Sequence, residues 1–180
     1  ALGRGCVKPP AWPTFEEIYG TKAASIAAYP MYRGLAKLLG MRALDASEDP
    51  GNKFETFAAH REEYDFFFIH VKKPDKAGED GDFETKVKSI ENVDAALPKL
   101  LSAKPDVLIV TGDHSTPWAL KSHSWHPVPT IINSAYCRPD NVTSFGERAL
   151  LSGGLGPRFP GENLMPLAMA NGLRIEKFGA

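Results

Sequence analysis

Three short segments concentrate side chains that can bind metal ions or move protons. Residues 75–82 hold four carboxylates within eight positions, in the order Asp-Lys-Ala-Gly-Glu-Asp-Gly-Asp. The pair Asp113-His114 follows, and His123 and His126 come soon after, so three of the five histidines fall between positions 114 and 126. Imidazole and carboxylate together suit Mn²⁺, Zn²⁺ or iron better than Mg²⁺, which favours oxygen ligands. The spacing therefore predicts a site for divalent metal ions.

Each segment also fits a purely structural role. Residues 75–82 could form a solvated loop in which Asp82 caps the next helix. Asp113 and His114 could form a turn with an internally satisfied imidazole, and His126 could be a turn residue before a proline. Composition and spacing leave these alternatives open.

Hydrophobic patterning places the three segments after buried strands. The expected strands are 22–28, 65–71, 106–111 and 128–133, and the expected helices are 31–39, 54–63, 83–101, 144–151 and 163–170, with a kink or restart at Pro98 and a last amphipathic stretch at 173–178. Residues 72–81 are expected to be a polar loop. Strands that alternate with helices predict an α/β three-layer sandwich with a mainly parallel sheet. Binding sites in such sheets gather at the carboxyl ends of the strands.

The bulk composition excludes several classes of function. The 180 residues carry a formal net charge of -1, so there is no broad basic surface for nucleic acid or anionic lipid. The longest apolar runs, such as 66–69, are far shorter than the roughly 20 residues that cross a bilayer, and no secretory leader is visible. Cys6 and Cys137, without a CxxC spacing, favour reduced thiols in the cytoplasm. The chain opens at Ala1 rather than at Met, which suggests a start inside a longer polypeptide.

The motifs resemble those of one family. Residues 70–84 (HVKKPDKAGEDGDFE), 110–117 (VTGDHSTP) and 123–129 (HSWHPVP) are similar, in this order, to motifs of the archaeal-type, cofactor-independent (2,3-bisphosphoglycerate-independent) phosphoglycerate mutases of the alkaline phosphatase superfamily. Residues 13–20 and 177–180 also resemble that family, so the similarity covers nearly the whole chain. It implies an alkaline-phosphatase-like fold, incomplete at the amino-terminal side. The chain would be the carboxyl-terminal part of the metal-binding domain, with residues 1–20 as an opening segment that follows a missing upstream region.

The resemblance also implies roles for the candidate ligands. Members of the family hold two divalent metal ions, usually Mn²⁺ or Zn²⁺, beside a serine that is transiently phosphorylated. Asp75 and His123 would ligate one ion, and Asp113 and His114 the other. Glu79 falls where relatives often carry histidine, and its carboxylate could bind a metal there with a changed metal preference.

Basic residues would hold the phosphate and the carboxylate of the substrate. Arg33 takes the position where the family carries a lysine or arginine that faces the phosphorylated serine, and Lys22, Arg4 and Lys72 are further candidates. Each of the four could also be an ordinary surface cation. His126 stands where aspartate or asparagine is common, and it is expected to support the ligands rather than to bind a metal.

The activity that the resemblance implies is that of an isomerase in glycolysis. The intact enzyme would move phosphate between the 3- and 2-hydroxyls of glycerate through a phosphoserine. None of the motifs supplies the nucleophilic serine, which is expected in the missing amino-terminal region, so this chain alone is expected to be inactive. A related metal-dependent phosphohydrolase and a stand-alone metal-binding module are the alternatives. The expected partners are phosphoglycerate and the missing amino-terminal half, and an open sheet edge favours self-association into a homo-oligomer.

Overall fold

Two sheets, one parallel and one antiparallel, organise the chain. The computed structural model describes residue 8 and residues 10–175. The chain divides into two units, of which the first is Ala1–Lys76 with Glu84–Ala103 and the second is Ala77–Phe83 with Lys104–Ala180. The parallel sheet belongs to the first unit and the antiparallel sheet to the second.

The first unit is built around a central strand with helices before and after each strand. Its elements are α1 (Phe15–Tyr19), β1 (Ala23–Ile26), α2 (Pro30–Leu38), β2 (Arg42–Leu44), α3 (Pro50–His60) and β3 (Phe66–Ile69), and α5 (Phe83–Ser102) lies mostly within it. The strand order is β2-β1-β3, and both pairings are parallel. Ala24 at the centre of β1 lies opposite Arg42 on one side and Phe67 on the other.

Small residues on β1 and aromatic residues on β3 explain how this core packs. All four residues of β1 are buried. On the neighbouring strand, Phe66 stacks on Phe15 with ring centroids 4.7 Å apart, and Phe67 meets Phe57 edge-on at 4.9 Å. Aromatic pairs in these arrangements stabilise a core beyond the area they bury. A central strand with small side chains thus leaves room for the rings of its neighbour.

The second unit contains a strand pair and short helices. Its elements are β4 (Val107–Val110), β5 (Ile131–Ser134), α6 (Glu147–Leu150), a 3-10 turn (Gly161–Asn163) and α7 (Leu164–Asn171). The strands β4 and β5 pair antiparallel, with Val107 opposite Ser134. The Ser134 hydroxyl donates to Asn171 Oδ1 at 2.8 Å, which joins β5 to the end of α7.

Residues 72–81, expected to be a polar loop, instead form helix α4 (Lys73–Asp80). Pro74 is tolerated in the first turn, where a backbone N–H has no helical acceptor, and Asp75 in that turn interacts favourably with the helix dipole. Gly81, at φ 72°, ends the helix in the left-handed conformation. The prediction was wrong because clustered charge was read as a loop signal, although Pro74 in the first turn and Gly81 beyond the last residue favour a helix.

Two smaller expectations also need correction. The strand expected at 128–133 begins only at Ile131, because Pro127 and Pro129 have no N–H for a ladder. Helix α5 continues through Pro98 without the restart that was one of the two expectations there. Pro98 and Asp94, whose carbonyl loses its helical donor, are both exposed, so water can hydrate that carbonyl.

The fold class is confirmed: the chain is α/β, and its three-stranded sheet is parallel. The antiparallel pairing of β4 with β5 was not foreseen. The stretch 173–178 lies partly outside the described residues, as do Arg4 and Cys6. In the part of the chain that the structure describes, no helix combines the length and apolar character that crossing a membrane requires.

Candidate metal centre

Helix α4 presents two carboxylates one turn apart. Asp75 and Glu79 are four residues apart within it, so they share one face of the helix. The side chain of Asp75 is 16% exposed and forms an ion pair with Lys72. The ammonium group of Lys72 also lies 5.2 Å from the centre of the Tyr29 ring, above its face.

In the second unit, two imidazoles and two carboxylates from separate motifs come together. The rings of His114 and His123 have centroids 3.9 Å apart. His123 Nε2 lies 3.5 Å from Glu79 Oε1, and His114 Nε2 lies 3.6 Å from Asp113 Oδ2. These four residues are called the ligand cluster below. Their side chains are between 30% and 53% exposed, so an ion can reach them from solvent.

Backbone pairing between two loops holds the two histidines. Ser115 and Ser124 form an isolated antiparallel bridge, in which the Ser124 N–H donates to the Ser115 carbonyl at 2.9 Å. His114 precedes one bridge residue and His123 precedes the other. In this antiparallel register the two histidines are diagonal neighbours on the same face of the pairing, which lets their rings meet.

The turn that precedes His123 packs against the end of α4. The Lys121 side chain crosses Gly81 so closely that a Cβ on that glycine would clash with Lys121 Cε. Phe83, two residues after Gly81, and Trp118, three residues before Lys121, have ring centroids 5.4 Å apart. These contacts, together with Glu79 and His123, align residues 79–83 with residues 118–123 in the opposite chain direction.

Thr116 is a buried partner of the cluster that sequence reasoning missed. Its hydroxyl lies 3.1 Å from His114 Nδ1, and the residue is only 5% exposed. The Asp113 carboxylate lies near the other ring nitrogen, so both nitrogens of His114 have polar neighbours. The position of Thr116, two residues after His114, was the available signal. Partners of this kind orient metal-binding histidines.

The other predicted site residues lie in several places. Arg33 on α2 forms an ion pair with Asp45 at 2.7 Å and donates to the Leu44 carbonyl at 3.2 Å. The Lys22 ammonium lies 4.9 Å from the centre of the Tyr64 ring. Arg4 lies outside the described residues.

His126 does not contact the cluster through any recorded interaction; its Nδ1 instead lies 2.8 Å from the Ser124 hydroxyl. Of the residues predicted as ligands, Glu79, Asp113, His114 and His123 meet within the second unit, while Asp75 belongs to the first unit.

The donor chemistry fits a divalent cation. Imidazole nitrogens and carboxylate oxygens are the donors that Zn²⁺ and Mn²⁺ take in proteins, and both types are present. An α/β fold that carries such donors after its strands is typical of metal-dependent proteins.

Comparison with known proteins agrees with that class. A family model for the Metalloenzyme superfamily matches residues 8–170, so the chain belongs to the Metalloenzyme superfamily. A probable 2,3-bisphosphoglycerate-independent phosphoglycerate mutase of a Thermotoga species is 50% identical over 180 residues, which are 100% of this chain and 45% of that protein. The chain thus spans about half the length of the curated relatives it matches.

Two solved structures are also similar. A Pyrococcus horikoshii protein matches with a TM-score of 0.87 and 34% identity, over 93% of this chain and 54% of its own. A cofactor-independent phosphoglycerate mutase from Thermoplasma acidophilum matches with a TM-score of 0.71 and 26% identity, over 89% of this chain and 39% of its own. The α/β fold of this chain is therefore that of a known metalloenzyme group.

Proposed function

We propose that the protein containing these residues is a 2,3-bisphosphoglycerate-independent phosphoglycerate mutase, an isomerase of glycolysis that acts in the cytoplasm. It would interconvert 3-phosphoglycerate and 2-phosphoglycerate through a phosphoserine. The observation that supports this proposal is the meeting of Glu79, Asp113, His114 and His123 on a chain that is 50% identical to a relative of that name.

Two divalent metal ions, Mn²⁺ or Zn²⁺, are the proposed cofactors. We assign Asp75, Glu79 and His123 to one ion and Asp113 and His114 to the other. When bound, such cations stabilise negative charge on the oxygens of a transferring phosphoryl group.

The chain's own residues would bind and orient the substrate. Arg33, Lys22, Lys72 and Arg4 are the proposed contacts for its phosphate and carboxylate. The Arg33 partner Asp45 is 95% exposed, so their ion pair contributes little and can exchange for an anionic ligand. A guanidinium binds such anions in a planar, two-pronged arrangement.

The remainder of the protein and phosphoglycerate are the proposed partners, and a homo-oligomer stays a prediction. Residues 1–180 would be the carboxyl-terminal part of the metal-binding domain. A polypeptide of only these residues should not turn over phosphoglycerate, because the nucleophilic serine of the family lies outside the motifs described above.

The decisive experiment uses the complete protein, purified without metal and then supplied with Mn²⁺ or Zn²⁺. Incubation with 3-phosphoglycerate, without bisphosphoglycerate, should give 2-phosphoglycerate in ³¹P spectra. The matched control is the same protein with His123→Ala, which should be inactive. Release of inorganic phosphate in place of isomerisation would establish the phosphohydrolase instead. Turnover by the 180-residue polypeptide would contradict the proposal that the nucleophilic serine lies outside these residues.

A further inference from the structure

His126, three residues after the candidate ligand His123, is held in a fixed orientation. Its Nδ1 lies 2.8 Å from the Ser124 hydroxyl, and its ring stacks against the Trp125 indole with centroids 5.0 Å apart and planes 20° apart. Among the described residues, its Nε2 has no hydrogen-bond partner. One nitrogen and one ring face are thus occupied, while the other nitrogen is available to a ligand.

Ser124, the hydrogen-bond partner of His126, is itself held in place by backbone pairing. Ser124 pairs through its backbone with Ser115, the residue after His114. An exposed histidine on a loop usually samples several rotamers, and fixing it costs conformational entropy. The hydrogen bond to Ser124 and the stacked Trp125 ring restrict the His126 side chain before a ligand binds. The entropy lost on binding is then smaller, and the affinity for the ligand is higher.

Trp125 gives a second, independent indication. At 83% it is the most exposed of the large hydrophobic side chains that the structure describes. Small-molecule sites combine aromatic side chains with a few placed polar groups, and a rigid indole ring loses little conformational entropy when it packs on a ligand. Here the ring directly follows His123-Ser124 in sequence and shields one face of His126.

We propose that Trp125 and His126, which follow the candidate ligand His123 in sequence, form an anion contact for the phosphoglycerate substrate. The inference rests on the proposed function. When the Ser124 hydroxyl donates to Nδ1 of His126, the Nε2 of that ring carries a proton and can donate a hydrogen bond to a carboxylate or phosphate oxygen. Trp125 stacks on the imidazole and so helps to fix the direction of that hydrogen bond. Ser124 is a positioning residue, since it acts through the imidazole.

The test compares variants of the complete, metal-loaded protein. His126→Ala should raise the KM for 3-phosphoglycerate about tenfold, because a hydrogen bond to a charged group is lost, with kcat changed less than about twofold. His126→Gln places an amide N–H near the position of Nε2 and should recover most of the affinity. Ser124→Ala should give an intermediate KM. His60→Ala, which removes an imidazole that pairs with Glu63, is the matched control and should leave KM unchanged.

A second measurement does not depend on turnover. In protein labelled with ¹⁵N-histidine, adding 3-phosphoglycerate should shift the Nε2 resonance of His126, and inorganic phosphate alone should shift it less if the carboxylate is the bound group. Equal shifts of the Nε2 resonance with 3-phosphoglycerate and with inorganic phosphate would show that His126 contacts the phosphate group of the substrate. An unshifted resonance, or an unchanged KM in His126→Ala with mutase activity intact, overturns the anion contact and leaves the proposed function standing. Loss of metal from His126→Ala also overturns it, because the residue would then act on the ligands.

Discussion

The imidazole rings of His114 and His123 lie with their centroids 3.9 Å apart and their planes inclined by 36°. Each ring comes from a different motif, and the Ser115–Ser124 bridge brings the two motifs together. Glu79 and Asp113 each approach one ring nitrogen of the pair. Two imidazoles in such proximity are well placed to bind one cation or two neighbouring ones.

Removing one of these rings should weaken metal binding. His123→Ala is expected to lower the affinity for Mn²⁺ or Zn²⁺ by more than about tenfold, since a ligand contributes more than the partners that orient it. Calorimetric titration of the metal-free protein measures the affinity. His60→Ala provides the control, and equal affinities in the two variants would argue against His123 as a ligand.

Thr116 should raise the metal affinity of the ligand cluster by orienting His114, without binding the metal itself. Thr116→Val keeps the shape of the side chain but removes the hydroxyl that lies 3.1 Å from His114 Nδ1. We expect metal affinity to fall about 10-fold with little change in fold, as for other partners of metal-binding histidines. Thr143→Val alters an exposed threonine and serves as the control. A stable Thr116→Val protein with full affinity would show that the hydroxyl has no such role.

Gly81 combines a left-handed backbone with close packing. Gly81→Ala should destabilise the protein by about 1–3 kcal/mol through backbone strain. It should also displace the Lys121 side chain and weaken metal binding at His123, two residues later. Gly20→Ala is the matched control, because Gly20 has φ 62° and no atom within 4 Å of the added Cβ.

Urea unfolding and metal titration together separate the two effects. In a Lys121→Ala background, Gly81→Ala should lower the free energy of unfolding about as much as Gly20→Ala does. The clash with Lys121 is then absent, and only the strain of the left-handed backbone remains. If Gly81→Ala and Gly20→Ala had equal effects on metal affinity, the packing against Lys121 would not matter to the site.

Asp140 should make stability depend on acid pH. The pKa of its carboxyl is lowered because the N–H groups of Gly154 and Val142 donate to it, at 2.6 Å and 2.9 Å. A lowered folded-state pKa means that the unfolded chain binds the proton more readily. The stabilisation is therefore complete above the ordinary pKa of 3.8 and is lost as pH falls through the lower folded value.

Urea midpoints measured from pH 7 down to pH 2 test this sign. Asp140→Asn should be less stable than the unchanged protein at neutral pH, and the two should converge in acid. A gap that persists or widens at low pH would contradict the assignment of the effect to the ionised carboxylate.

Some features of the site follow from local sequence. Strands at 106–111 and 65–71 were predictable because runs such as Val107–Val110 contain only apolar, mostly β-branched residues. The prediction that both are buried was wrong, since β3 and β4 are only partly buried in the structure. Asp113 and His114 come directly after such a strand, so their place at its carboxyl end was also predictable. The resemblance of the three motifs then gave the family, which the match over residues 8–170 confirms.

Helix α4 shows where local reading failed. Its charges suggested a loop, but Pro74 near one end and Gly81 beyond the other favour a helix between them. The helix matters for the site, because it sets Asp75 and Glu79 on one face. A loop would have left their directions unspecified.

The sequence by itself determined the kinds of donor, their order along the chain and the strands that precede them, because side-chain chemistry and hydrophobic patterning are local properties. Only the tertiary structure decided which donors meet. The contact between the His114 and His123 rings, the approach of Glu79, the burial of Thr116 and the crossing of Lys121 over Gly81 all depend on contacts between separate segments of the chain. Such contacts follow from packing and backbone pairing across the fold, which no short motif encodes.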